Sequence, residues 1–257
     1  MSRTKTTSGH SLLLLCIGIM CGFVALALAG CSAEPKTSTS SETTSTVSGY
    51  ESLRIDMESW SYDSDHDVYY QIGLPYCTDP QATEYESYGI YIPGAYVDST
   101  KNDNGYSLSI NDSATIDGLT ASTAPIVMPV NTPGYSAQAA PAKYSYQTIS
   151  EYMDAGFIYV YAGCRGRDNG TNPDGSSFEG GAPWGVTDLK AAIMTLRLNQ
   201  DLIPGDTDKI FTFGMSGGGA QNSLVGVTGD SELYNPYLES IGAPMTDGDG
   251  KVISNAT

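Results

Sequence analysis

Lys209-Ile210-Phe211-Thr212-Phe213-Gly214-Met215-Ser216-Gly217-Gly218-Gly219-Ala220-Gln221-Asn222-Ser223-Leu224-Val225 is the stretch whose reading decides the fold. An apolar, β-type run meets a turn of small residues, and a helix-compatible segment follows. Gly214 and Gly218 flank Ser216 in the pattern G-x-S-x-G. That pattern, between a strand and a helix, places a serine hydroxyl at the top of a sharp turn. A Cβ on either flank would crowd such a turn, and glycine has none. The helix that follows points its first amides, that of Gly217 included, at any negative charge developing beside the serine. A phosphate-binding loop is the other reading of a glycine cluster. It fails on spacing, because Asn222 stands where a dinucleotide fingerprint needs a third glycine or alanine. No lysine follows the glycines as a P-loop requires.

Working outward, strands and helices alternate. Residues 124–130 and 157–162 read as short buried strands. Residues 145–155 carry a helical pattern that Gly156 closes. Across residues 184–199, Val186, Leu189, Ile193 and Leu196 recur on one helical face. Pro204-Gly205-Asp206 then turns the chain into the strand that starts at Lys209. This alternation predicts a mostly parallel, doubly wound α/β sheet covered on both faces. Ligands of such sheets bind at the carboxyl ends of the strands, where both Ser216 and residues 131–135 fall. Farther upstream, Leu53, Ile55 and Met57 alternate, as do Val68, Tyr70 and Ile72, and Tyr88, Ile90 and Ile92. These predict antiparallel strands at the start of the domain. Residues 101–120 read as a polar, turn-rich excursion.

Residues 1–30 read as an export signal: Arg3 and Lys5, an apolar run over 12–28, then Leu28-Ala29-Gly30-Cys31. That ending resembles the lipobox of bacterial lipoproteins, which implies a lipid on Cys31 and a location on the outer face of the cell membrane. An uncleaved anchor helix is the alternative, and it too puts the rest of the chain outside the cytoplasm. Residues 31–48 are rich in Ser and Thr and read as a tether. The globular part is then 49–257. The 29 acids and 12 bases of the whole chain give a net charge of −17, which disfavours nucleic acid as a partner. The 18 tyrosines suit either half-buried strand surface or contact with carbohydrate or aromatic ligands.

No cofactor or metal is expected. Asp63, Asp65 and Asp67 resemble the start of a calcium loop, but Val68 stands where the loop needs glycine and Leu74 where it needs glutamate. They read as a solvated turn. Cys77 and Cys164 are compatible with a disulfide and equally with two separate buried thiols.

These motifs together resemble the α/β-hydrolase fold and, within it, bacterial tannase-like carboxylesterases (subtype B tannase and feruloyl-esterase type). The matching stretches are 131–135, 162–167 (Ala-Gly-Cys-Arg-Gly-Arg), 188–192, 204–220 and 226–242. The resemblance implies Ser216 as nucleophile and the Gly217 amide as one oxyanion donor. A second donor is implied near Gly134 or Tyr135. The implied substrate is a small-molecule ester, its acyl group aromatic (galloyl or feruloyl) or small and aliphatic. Arg165 and Arg167 read as structural ion-pair partners before substrate clamps.

One departure stands out. The triad order of this fold is Ser, then Asp or Glu, then His. The only histidines are His10 and His66, both upstream of Ser216. Asp247 and Asp249 lie in a Gly-rich turn. The expectation is therefore the N-terminal part of a longer enzyme, inactive by itself. A catalytically dead binding lipoprotein on the same scaffold and a serine peptidase of the same fold stay open.

Overall fold

A computed structural model describes residues 49–167, 176 and 181–257, all inside one unit, Thr44–Thr257. The export signal, the tether and Cys31 lie outside the described residues.

Among the described residues, eight strands and four α-helices follow one another in the order β1 (Ser61–Asp63), β2 (Val68–Pro75), β3 (Ser87–Pro93), β4 (Val97–Asn102), β5 (Gly105–Ile110), β6 (Pro125–Val130), α1 (Ser150–Asp154), β7 (Ile158–Ala162), α2 (Trp184–Leu198), β8 (Asp206–Gly214), α3 (Gly217–Thr228) and α4 (Asn235–Ser240). Six strands form one mixed sheet in the order β1-β2-β3-β7-β6-β8. The N-terminal strands pair antiparallel, whereas β6 pairs parallel with both β7 and β8. The α/β sheet and its antiparallel N-terminal strands are as expected; the described sheet is mixed, with parallel pairing confined to β6 and its two neighbours.

The topology fixes where a site can form. From β6 the chain crosses through α1 to β7 on one side, then through α2 to β8 on the other. Crossovers of one hand in opposite directions put their helices on opposite faces and open a crevice at the carboxyl end of the shared strand. Here that strand is β6, and the register pairs its last residue, Val130, with Gly214.

The two faces differ. Ile90, Ile92, Val160, Ile126 and Met128 pack with α2 in the main core. All of α2 except Trp184 and Arg197 is buried, so its polar side chains need partners inside the protein. On the other face Tyr91, Tyr159 and Val127 line up across adjacent strands by register and pack with Ile149 and Met153 around α1. Farther along, Phe211 and Phe213 of β8 are 57% and 39% exposed.

Three expectations change. Residues 51–57 form no strand: Glu51–Leu53 is a single 3-10 turn, although Leu53 and Ile55 are buried. The alternation there records burial of a coil against α2, whose flanking Asn199 Oδ1 accepts the Ile55 N–H at 2.9 Å. Residues 101–120, expected as a polar excursion, contain part of a hairpin, β4 with β5, in which Tyr106, Leu108 and Ile110 alternate with Ser107 and Ser109 and Leu108 is buried. The helix expected over 145–155 is a 3-10 turn (Tyr146–Thr148) and the five-residue α1, closed by Gly156 at φ 75°.

Cys77 and Cys164 are free, buried thiols. The acidic turn is only partly solvated. Asp63 accepts hydrogen bonds from Tyr144 Oη (2.6 Å), His66 Nδ1 (2.8 Å) and its neighbour's amide, while Asp67 accepts from Tyr62 Oη at 2.9 Å.

Candidate active site

Ser216 caps β8 and precedes α3 with φ 55° and ψ −123°. A non-glycine residue held at positive φ costs on the order of 1–3 kcal/mol and persists only where its surroundings enforce it. The enforcement here is steric. A Cβ on Gly214 or Gly218 would collide with Val130 O at the end of β6. Elbow and neighbouring strand therefore close on each other with only hydrogen between them. Ser216 is exposed, and its hydroxyl has no hydrogen-bond partner among the described residues.

The loop after β6 faces this turn. Gly134 and Tyr135 both have positive φ, 60° and 65°. Among the described residues only Asp67, Asp117, Tyr135 and Ser216 do so without being glycine, and two of these four meet at the elbow. A Cβ on Gly217 would lie 2.6 Å from Tyr135 N and 3.2 Å from Gly134 N, so these backbones touch. The Tyr135 amide donates to Thr132 O at 3.0 Å and is thereby engaged. Gly134 N–H has no hydrogen-bond partner among the described residues. Gly217 opens α3, and a helix's first amides have no partner within the helix. Two free amides from different elements thus converge beside Ser216.

The loop is tied down on both sides. Gln138, buried, accepts the Asn131 N–H with Oε1, and its Nε2 donates to Ala162 O at 2.7 Å. Its backbone exchanges two 2.9 Å hydrogen bonds with Cys164. Thr132 Oγ1 donates to Gln221 Oε1 of α3 at 2.5 Å. Neither glutamine stands out in the sequence, because only the fold brings their partners near.

A cleft of about 250 Å³ runs from this loop along α3, lined mainly by Tyr135, Arg167, Pro183, Val186, Leu224 and Tyr234. Its floor includes Arg165, which is fully buried. Arg165 donates to Asp188 through Nε (2.9 Å) and Nη2 (2.6 Å) and to Gln81 through Nη1 (2.8 Å). Its guanidinium stacks 4.1 Å from the Trp184 ring. Glu86 lies 3.4 Å from Nη2. Arg165 is thus a structural ion-pair partner. The exposed Arg167 joins the loop through its backbone N–H, which donates to Tyr135 O at 2.8 Å.

Two carboxylates around one guanidinium leave one negative charge uncompensated in the interior. Burial, then repulsion from Asp188, pushes Glu86 up to about 7 against the pull of Arg165. Burial raises Asp188 as well, but its hydrogen bonds from Arg165 make it the better home for the charge. Of the two, Glu86 is therefore the carboxyl held closer to its neutral form. Burial also raises both cysteine thiols well above their ordinary range, so neither is a reactive thiolate.

No described residue near Ser216 is positioned to take its proton. His66 belongs to the β1–β2 turn, hydrogen-bonded to Asp63 and stacked on Tyr146. β1 and β8 are the two ends of a six-stranded sheet, five strand spacings apart. At about 4.8 Å per spacing this is roughly 24 Å. Asp247 accepts the amides of Asp249 and Lys251 within its own turn.

No protein-family model matches the chain. No curated protein matches it either. Solved structures do. A tannase from Fusobacterium nucleatum is 30% identical with a TM-score of 0.57, over 68% of this chain and 34% of its own. Tannin acyl hydrolase from Lactobacillus plantarum is 26% identical with a TM-score of 0.64, over 79% of this chain and 42% of its own. A tannin acyl hydrolase solved with ethyl gallate gives 26% and 0.61 over the same shares. The chain is similar in structure to bacterial tannases and has an α/β-hydrolase sheet. It spans about two fifths or less of the length of the tannases it matches.

Proposed function

We propose that this chain carries the nucleophile and oxyanion part of a serine ester-hydrolase site for esters of hydroxylated aromatic acids. The observation that carries this reading is the convergence at Ser216. A serine in a strained turn, with a free hydroxyl, lies beside the unengaged amides of Gly134 and Gly217. In this reading Ser216 Oγ attacks the ester carbonyl carbon and a base takes its proton. The carbonyl oxygen becomes an oxyanion held by the Gly217 and Gly134 amides, with Tyr135 N–H excluded by its bond to Thr132. The alcohol departs, and water then releases the acid from the acyl-enzyme.

The aromatic preference rests on the cleft and on the comparisons. Tyr135, Tyr234, Val186 and Leu224 offer apolar walls for a benzoyl-sized ring. Tannin acyl hydrolase structures hold ethyl gallate and 3,4-dihydroxybenzoate.

The test supplies the base from solution. Release of nitrophenol from p-nitrophenyl gallate is measured with and without imidazole, for the wild type and for Ser216→Ala. The expected result is imidazole-dependent release by the wild type above that of the Ser216→Ala protein. Equal rates would overturn the nucleophile assignment. They would favour a second reading, a binding protein on a hydrolase scaffold, which the distance of His66 already supports.

A further inference from the structure

Thr132 is fully buried at the mouth of the crevice, between β6 and the Gly134 turn. It makes three contacts. Its carbonyl accepts the Tyr135 amide at 3.0 Å and so closes the Gly134 turn. The same carbonyl oxygen occupies the space a Cβ at Gly217 would need. Its hydroxyl donates at 2.5 Å to Gln221 Oε1, which is buried one helical turn beyond Gly217 on the same face of α3. The loop that presents Gly134 and the helix that presents Gly217 are thus joined by one side-chain hydrogen bond.

We propose that Thr132 is a positioning residue: through Gln221 it sets the gap between the Gly134 and Gly217 amides that hold the oxyanion. This rests on the proposed ester-hydrolase reading and extends it to a residue that touches no substrate. The physical argument concerns distance. Oxyanion donors act only within hydrogen-bond range of the developing charge, and one lost donor costs about 10²–10³ in rate. A displacement of about 1 Å costs up to about 10²-fold. A loop and a helix from separate parts of the chain hold such tolerance only where something locks them together. Gln138 locks the loop to the sheet, and the Thr132–Gln221 hydrogen bond ties it by a side chain to α3.

The test uses the imidazole-supported reaction with p-nitrophenyl gallate and compares Thr132→Val, Thr132→Ser, Gln221→Met and the Thr132→Val/Gln221→Met pair. Valine keeps the shape of threonine but strands a buried amide oxygen, which lowers stability whatever the role of the bond. The double variant removes both polar partners, so stability recovers while the tie stays broken. The expected result is a maximal rate about 10- to 100-fold lower in Thr132→Val and in the double variant. Half-saturation by the ester should stay unchanged, and Thr132→Ser should be restored to near wild type. A double variant that melts like the wild type and reacts within twofold of it would overturn the proposal. So would Thr132→Ser losing as much as Thr132→Val. A wild type no faster than Ser216→Ala would remove the ester-hydrolase reading itself, and this proposal with it, through a different pattern.

Discussion

At the scale of single residues, strain and charge are both held by backbone that cannot move aside. Ser216 keeps its positive φ because Val130 O lies where a flanking side chain would go. Arg165 holds two buried carboxyl groups, Asp188 and Glu86, and Glu86 is the one held closer to its neutral form. This has a consequence for stability. Glu86 has a folded value near 7, against an ordinary value of 4.5. Between those values the folded protein keeps a proton that the unfolded chain has released. Stability therefore falls as pH rises through that window. Thermal melts from pH 5 to pH 8 should show a falling melting temperature for the wild type and a flatter profile for Glu86→Gln, which stays neutral throughout. A wild-type profile as flat as that of Glu86→Gln would contradict the assignment. In the sequence the sharp turn at Ser216 was legible because its glycines are local. The role of Arg165 was legible only as a preference, since Glu86, Gln81 and Asp188 are brought to it by folding.

Among the elements, α2 and α3 decide how firmly the site is built. The apolar stripe of α2 was readable, but it says nothing of the helix's opposite face. The structure buries that face too, and each polar side chain on it meets a partner. Thr195 Oγ1 donates to Tyr76 O at 3.0 Å, and Asp188 accepts from Arg165. Lys190 Nζ donates to Gly229 O at 2.5 Å and to Asn255 Oδ1 at 2.7 Å. Gly229 caps the far end of α3, so Lys190 anchors the helix whose first turn carries Gly217. Burial lowers its pKa to about 8, so the charge is held there at a cost. Lys190→Met keeps the stem and leaves both oxygens unpaired. It should lower stability by about 1–3 kcal/mol in urea unfolding. An unchanged midpoint would show that the anchor contributes nothing. The β4–β5 hairpin gives a different lesson: Tyr106, Leu108 and Ile110 alternate in β5, but β4 is polar after Val97, so only one of the two strands carries the pattern.

For the molecule as a whole, the sheet supplies the frame and the switch point at β6 supplies the location. The doubly wound order was legible from alternating patterns, because helix and strand periods differ over short windows. The pairing order β1-β2-β3-β7-β6-β8 was not, since it depends on contacts between segments distant in sequence. β8 ends the described sheet with Phe211 and Phe213 exposed, and the solved tannases extend well beyond the share this chain matches. In the proposed reading this frame makes Ser216 a nucleophile rather than a turn residue. The most direct measurement is covalent labelling by a fluorophosphonate in the presence of imidazole, located by peptide mass mapping. The hydroxyl oxygen displaces fluoride from phosphorus, so the adduct stays on the attacking residue. The account predicts a single adduct on the peptide containing Ser216, formed faster as imidazole rises, and none in Ser216→Ala. Labelling of Ser216→Ala at the wild-type rate, or an adduct on another residue only, would contradict it.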